Sequence, residues 1–190
     1  MKTKTNQTLK LTLTAILIAI GILIPMISPV KIILEPASFT LASHVAIFIA
    51  MFISPGVALT VALGTTMGFF LGGFPIVVTL RALTHVVFVV LGSQLLKKRP
   101  SLLNNKGQSI LFSLGIGIVH AVSEIAVVSL FYFGGNMTEG YYAQGFMSSV
   151  LLLVGLGTVV HSMIDFTIAQ VIWLGLEKRT NIGKKVASIQ

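Results

Sequence analysis

The sequence contains no cysteine and little charge: Asp, Glu, Lys and Arg together make up only 9% of its 190 residues. Without cysteine there is no disulfide and no thiolate ligand for a metal. An ordinary soluble domain carries about 25% charged residues and must present a large share of its residues to water. The composition therefore argues against a soluble catalytic domain. With 55% hydrophobic residues, the chain is predicted to be one integral membrane domain over residues 1–190.

Motifs for nucleotide hydrolysis and nucleophilic catalysis are also missing. The P-loop pattern G-x-x-x-x-G-K-[ST] does not occur, since Gly183-Lys184 is followed by Lys185 and lacks the upstream glycine. The nucleophile pattern G-x-S-x-G is absent as well. We therefore expect no enzymatic activity and no cofactor, and any transport driven by ATP would depend on partner proteins.

Six apolar runs approach the roughly 20 residues that a helix needs to cross a bilayer. They predict an all-α, polytopic six-transmembrane-helix bundle, with spans at residues 10–27, 38–54, 57–73, 75–96, 109–133 and 147–176. The second and third runs could instead form one kinked helix, because only Ser54-Pro55-Gly56 separates them.

The distribution of basic residues favours six spans. With six, eleven of the thirteen Lys and Arg residues fall on one side of the membrane, whereas five spans would divide the basic clusters between both sides. The positive-inside rule then places both termini in the cytoplasm. The net charge of +8 is accordingly interpreted as a topology signal and not as a nucleic-acid-binding surface.

Two predicted external segments are unusual for simple loops. Residues 28–37 are too apolar for a solvated connection and are expected to fold back over the external mouth. Residues 134–146 combine glycines with Tyr141 and Tyr142, a composition typical of a lid. The alternative for both segments is an ordinary connecting loop.

Ionisable side chains within the predicted spans give the clearest functional signal, because each costs several kcal/mol in lipid unless it is paired or hydrated. Six of them form three pairs spaced four residues apart, so that each pair shares one helix face. Three such polar stripes are expected to converge on an internal cavity. The seven ionisable residues are His44, Arg81, His85, His120, Glu124, His161 and Asp165.

The residue types in these stripes suit a small, polar and anionic ligand. Arg81 stays protonated and can bind a carboxylate with two parallel hydrogen bonds, and the histidines and acids can meet a ring nitrogen. Internal pairing of Arg81 with Glu124 or Asp165 is the structural alternative. His44, near the start of the second span, is assigned to the interface and left out of the site.

Metal binding is a further possibility for these stripes. Histidine and carboxylate four residues apart can ligate zinc, but the sequence has no H-E-x-x-H and Arg81 would repel a cation in the same cavity. We therefore predict no metal site.

Small residues at intervals of four occur in two spans. Gly64, Gly68 and Gly72 permit close helix contact and are interpreted as internal packing. Ala15 and Ala19 form one further small-xxx-small pair in the first span, for which internal packing or chance is the alternative.

The whole pattern resembles the substrate-binding (S) components of energy-coupling-factor (ECF) vitamin transporters. The resemblance covers nearly the whole chain, and Ala15-x-x-x-Ala19 matches the A-x-x-x-A motif of the family. It implies docking through Ala15 and Ala19 onto a transmembrane coupling subunit that works with two ATPases, followed by toppling in the membrane. It also implies an outward-facing pocket formed by the first external segment, the later spans and the loop at 134–146. In this chain the implied pocket adds four residues to the three stripes: Lys31, Glu35, Asn136 and Tyr141.

Residues 36–44 and 80–85 look most like the niacin-type branch of this family. Nicotinate would place its carboxylate on Arg81, while pantothenate and pyridoxine-type vitamins remain alternatives. Two other functions stay open at this point. A stand-alone proton-coupled transporter could use the His120/Glu124 and His161/Asp165 pairs as relays, and a membrane-embedded enzyme could use the same groups.

Overall fold

The computed structural model describes residues 2–34 and 37–179, and this part of the chain is almost entirely helical. Its α-helices are α1 (Lys2–Ile27), α2 (Val45–Ile53), α3 (Pro55–Leu71), α4 (Ile76–Lys98), α5 (Lys106–Phe133), α6 (Glu139–Ala143) and α7 (Gly157–Arg179). A 3₁₀ turn covers Pro100–Leu103, and a π-helical segment, Met147–Leu156, leads directly into α7. The strands β1 (Lys31–Leu34) and β2 (Ala37–Thr40) form one antiparallel hairpin, in which Lys31 pairs with Thr40.

Among the described residues, four helical stretches are long and apolar enough to span a membrane: Gln7–Ile27, Ile76–Lys98, Lys106–Phe133 and Met147–Arg179. The third predicted span corresponds to α3, an apolar helix of 17 residues that is shorter than these four. The all-α architecture is thus confirmed, but the count of six transmembrane helices is not.

The second predicted span, residues 38–54, is the one that the structure corrects. Its first residues belong to β2 and to a turn, and the helix begins only at Val45, so α2 has nine residues. The helix cannot include Ala42, because the φ of this residue is 67° and lies in the left-handed region. Eight of the nine residues of α2 are buried, so its short length is accommodated inside the protein.

The boundary between α2 and α3 is a well-defined helix start, so the two are separate helices and not one kinked helix. Ser54 has an extended backbone, with a φ of −172°, and its Oγ accepts a hydrogen bond of 3.3 Å from the Val57 N–H. Pro55 follows at the first helical position. It lacks an N–H, but the N–H at this position would have no partner within the helix, so no hydrogen bond is lost.

An aromatic core packs around α2 and fixes its position between α4 and α7. Phe48 contacts Phe88 and Phe166 at ring-centroid distances of 5.5 and 5.4 Å, and Phe52 contacts Phe166 and Trp173 at 5.4 and 6.2 Å. This core holds the N-terminal end of α2, and His44 just before it, against the faces of α4, α5 and α7 that carry the polar stripes.

Described residues of both segments predicted to be external make contacts with the rest of the chain. The hairpin follows α1 directly, and Lys31 Nζ donates a hydrogen bond of 2.9 Å to the carbonyl oxygen of Pro25. In the segment 134–146, α6 buries Tyr141, whose hydroxyl donates to the carbonyl of Ser149 at 3.0 Å. Burial raises the pKa of Tyr141 to about 12, so this hydroxyl keeps its proton. Opening of this segment as a lid stays a prediction.

Gly64 and Gly68 allow α3 to pack closely against α1, as predicted. A β-carbon at Gly64 would lie 2.6 Å from Ile18 Cδ1, and one at Gly68 would overlap Ile22. The glycines therefore form the internal contact between these helices and are not free for a partner.

Replacing Gly64 by leucine is expected to lower the free energy of unfolding by about 1–3 kcal/mol, the usual range for an overpacked contact. Unfolding of the purified protein in detergent would measure the loss. The matched control is Gly115→Leu on α5, an exposed position with no atom within 4 Å of the added β-carbon. Equal losses for both variants would contradict a close contact between α1 and α3.

Candidate functional site

A cavity of about 100 Å³ lies where the hairpin, the start of α2 and the polar faces of α4, α5 and α7 meet. It is bounded by ionisable, hydroxyl-bearing and aromatic side chains together. The polar residues that line it are Lys31, Thr40, Ser43, His44, Thr65, Arg81, His85, His120, Glu124, Thr158 and His161. The aromatic residues are Phe39, Phe69 and Phe74.

Five of the six residues in the predicted stripes line this cavity, so the expected convergence of three helix faces is observed. The stripe of α4 meets the stripe of α5 through Arg81 Nη2, which lies 2.9 Å from Glu124 Oε2. Thr158 Oγ1 donates a second hydrogen bond, of 2.6 Å, to the same oxygen. Glu124 is therefore held by groups from two neighbouring helical segments.

Arg81 is only partly satisfied by this pairing. Its Nε is buried and has no hydrogen-bond partner among the residues that the structure describes. A buried donor without a partner costs free energy, and a guanidinium offers five N–H donors in a fixed plane. Internal pairing with Glu124 thus leaves Arg81 able to bind an anionic group in the cavity.

Asp165, the sixth stripe residue, lies behind the cavity lining and organises the turn before α2. Its carboxylate accepts hydrogen bonds of 2.8 Å from the backbone N–H groups of Ala42 and His44. The same carboxylate lies 3.2 Å from His44 Nδ1 and 3.3 Å from His161 Nε2. Asp165 therefore acts on the site through the residues that it positions.

The four histidines form a compact cluster with His44 at its centre. The ring centroid of His44 lies 4.8 Å from that of His85, 4.9 Å from His120 and 5.0 Å from His161. His85 and His120 are themselves 4.8 Å apart. Two sets of nitrogen or oxygen atoms in this region lie within 4.8 Å of one another and could hold a metal ion: one from His44, His85 and His120, and one from His44, His161 and Asp165.

The four pocket residues implied by the resemblance have different positions. Lys31 lines the cavity, whereas Glu35 lies outside the described residues. Asn136 is exposed and its Nδ2 donates to the carbonyl of Gly134 at 2.9 Å, so the structure does not bring it to the cavity. Tyr141 is buried beside Tyr132 and is not among the lining residues.

His44 is the main residue that sequence reasoning missed. The sequence places His44 at the membrane interface, near the start of the predicted second span, whereas the late start of α2 places it inside the bundle. The hydroxyl-bearing and aromatic lining residues were also missed. Their signal in the sequence is weak, since Ser, Thr and Phe occur throughout membrane helices without any functional role.

The predicted docking residues Ala15 and Ala19 are both exposed on α1. They lie on a surface with exposed apolar neighbours such as Leu11, Ile16 and Leu23. The face is available to lipid or to a partner helix, and close approach is possible there because the alanine side chains are small.

The niacin transporter NiaX of Lactococcus lactis subsp. cremoris (strain MG1363) is 45% identical to this chain over 168 residues. The aligned region covers 88% of this chain and 74% of that transporter. No protein-family model matches the chain. No solved structure matches it either.

Proposed function

The chain belongs to the niacin-type family of S components of ECF transporters, and from this premise we propose that it captures nicotinate in the cavity for uptake into the cell. Membership in this family makes it a membrane protein with a role in vitamin transport. Beyond this role, we propose the identity of the ligand, the residues that bind it and the ATP-driven complex that completes import.

The observation that carries the choice of an anionic vitamin is the incomplete pairing of Arg81. Its side chain lines the cavity, with Nη2 bound to Glu124 and Nε left without a partner in the part of the chain that the structure describes. The carboxylate of nicotinate would use the free donors, a charge-assisted interaction of the stronger kind. Thr65 Oγ1 at the cavity wall is also buried and finds no hydrogen-bond partner within residues 2–34 and 37–179, so it provides another polar group for the ligand.

The rest of the lining suits a flat heteroaromatic ring. Phe69 and Phe74 stack on each other with centroids 4.6 Å apart, and Phe39 packs against His161 at 5.6 Å. These rings offer apolar surface to a pyridine ring, while the neighbouring imidazoles can donate a hydrogen bond to its nitrogen. Pantothenate, which is flexible and lacks an aromatic ring, would make less use of this wall.

Delivery of the vitamin is proposed to follow docking of the exposed alanine face of α1 on a transmembrane coupling subunit. Two ATPase subunits would supply the energy, in agreement with the lack of a P-loop in this chain. The basic clusters support a cytoplasmic position for both termini, and this orientation would put the hairpin and the cavity near the external surface of the cell membrane.

Native mass spectrometry of the purified chain, followed by equilibrium binding, tests the ligand directly. We expect the mass of nicotinate on the protein as isolated, and a binding preference for nicotinate over pantothenate and pyridoxine. Tight binding of either alternative with no binding of nicotinate would overturn the proposal. Nicotinate accumulation in liposomes that contain only this chain and are driven by a pH gradient would instead favour the stand-alone proton-coupled transporter.

A further inference from the structure

We propose that His44, His85 and His120 form a binding site for a divalent transition-metal ion, represented by Zn²⁺, at the inner wall of the cavity. One nitrogen from each of these residues lies within 4.8 Å of the other two. Tetrahedral zinc with Zn–N bonds of about 2.0–2.1 Å holds its nitrogens about 3.3 Å apart, so modest side-chain rotations bring the three rings to bonding distance. The site shares the cavity with the proposed vitamin site but does not require the vitamin.

His120 provides independent support for a ligand at this position. Its side chain is completely buried, and neither Nδ1 nor Nε2 has a hydrogen-bond partner among the described residues. The nearest acidic atom, Glu124 Oε1, lies 3.5 Å from Nε2, which is too far for a good hydrogen bond. Buried polar atoms are nearly always satisfied, and a metal ion would satisfy one nitrogen of His120.

Asp165 supplies the outer-shell contact that histidine ligands of metals characteristically have. The Asp165 carboxylate accepts hydrogen bonds, so the contact of 3.2 Å with His44 Nδ1 places the imidazole proton on Nδ1. His44 Nε2 is then left with a free lone pair, as metal binding requires. This carboxylate–histidine arrangement fixes both the tautomer and the orientation of a metal-binding ring. Backbone hydrogen bonds from Ala42 and His44 in turn hold the carboxylate.

The charge of Arg81, which counted against a metal in the sequence, is compensated in the structure. Glu124 accepts a hydrogen bond of 2.9 Å from Arg81, and the two formal charges cancel. Asp165 adds one further negative charge, with its carboxylate 3.2 Å from His44 Nδ1. With neutral histidines, Arg81, Glu124 and Asp165 sum to −1, and Lys31, which also lines the cavity, brings the total to zero. These groups therefore carry no net positive charge that would repel a cation.

Three imidazoles leave the fourth position of a tetrahedral zinc ion free for water or another small donor, as in catalytic zinc sites. Imidazole ligands suit Zn²⁺, Cu²⁺, Fe²⁺ and Ni²⁺, whereas Mg²⁺ and Ca²⁺ prefer oxygen ligands. We therefore expect binding of Zn²⁺ and no measurable competition from Mg²⁺.

The test is metal binding to the purified full chain, prepared without a polyhistidine tag and without added vitamin. After removal of metals with a chelator, titration with Zn²⁺ should give one ion per chain. Co²⁺ should then give the strong visible absorption of a four-coordinate ion. His120→Ala and His85→Ala should each abolish both signals, and Asp165→Asn should weaken Zn²⁺ affinity by about 10–100-fold.

His161→Ala is the matched control, because it removes a cavity histidine but keeps the three proposed ligands. It should retain Zn²⁺ binding with the Co²⁺ spectrum unchanged. If His161→Ala loses Zn²⁺ binding and His85→Ala keeps it, the metal is bound by His44, His161 and Asp165 instead, and the proposal is overturned. Unchanged Zn²⁺ binding in both His85→Ala and His120→Ala would also overturn it. Thermal unfolding of each variant in detergent separates loss of the site from loss of the fold. Because Zn²⁺ and nicotinate are measured separately, failure of the metal site leaves the vitamin proposal intact.

Discussion

Arg81→Ala is expected to raise the dissociation constant for nicotinate by about 30- to 5,000-fold. This range corresponds to about 2–5 kcal/mol, the usual cost of truncating one partner of a buried charge pair. In the structure, Arg81 lines the cavity, and its Nε, which no described residue pairs with, is available for a ligand carboxylate. Isothermal titration calorimetry of the purified chain with nicotinate would measure the change. An affinity within twofold of that of the unmodified chain would remove Arg81 from the binding site.

Two controls separate the role of Arg81 in ligand binding from its role in the fold. The alanine variant also leaves Glu124 buried without its cation, so the double variant Arg81→Ala with Glu124→Gln restores charge balance and should still bind nicotinate weakly. Nicotinamide, which carries no charge, should lose much less affinity than nicotinate in the same variants. Equal losses for the acid and the amide would indicate a structural defect.

Ala15→Trp is expected to abolish assembly with the coupling subunit and uptake of the vitamin, while binding of nicotinate by the isolated chain stays unchanged. Ala15 is exposed on α1, away from the cavity lining. A tryptophan there would hold a partner helix away from α1, because close helix contact in a membrane depends on small side chains. Co-purification with the coupling subunit and the ATPases, together with uptake in proteoliposomes, would measure both effects.

Ala126→Trp on α5 is the matched control for this prediction, since Ala126 is also an exposed alanine on a membrane helix. It should leave assembly and uptake unchanged. If complexes form normally with Ala15→Trp, the docking surface lies elsewhere on the chain. The two predictions also check each other, because Arg81→Ala should impair ligand binding without preventing assembly.

The polar stripes illustrate how far the sequence predicts the site. Spacing of four residues places Arg81 with His85, and His161 with Asp165, on common helix faces, because the α-helix repeats every 3.6 residues. Burial of these faces follows from the high cost of charge in lipid. Both arguments use only local periodicity and the properties of the bilayer, and the structure confirms that three stripes meet around one cavity.

The second span shows why the remaining features could not be predicted. The apolar run of residues 38–54 is compatible with a helix that starts at residue 38 and equally with one that starts at Val45. The start is decided by the backbone N–H groups of Ala42 and His44, which donate to Asp165 more than 120 residues later in the chain. A contact of this kind has no local sequence signature, and it moves His44 from the membrane interface to the centre of the histidine cluster.

The sequence by itself determined that this chain is a helical membrane protein, which residues carry charge into the membrane and which helix faces they share, because composition and helical periodicity are local properties. Only the tertiary structure decided that Glu124 binds Arg81, that Asp165 orients His44 and that three imidazoles lie within reach of one ion. Each of these depends on distances between segments far apart in the chain, which are set by the packing of the aromatic core and of the α1–α3 contact.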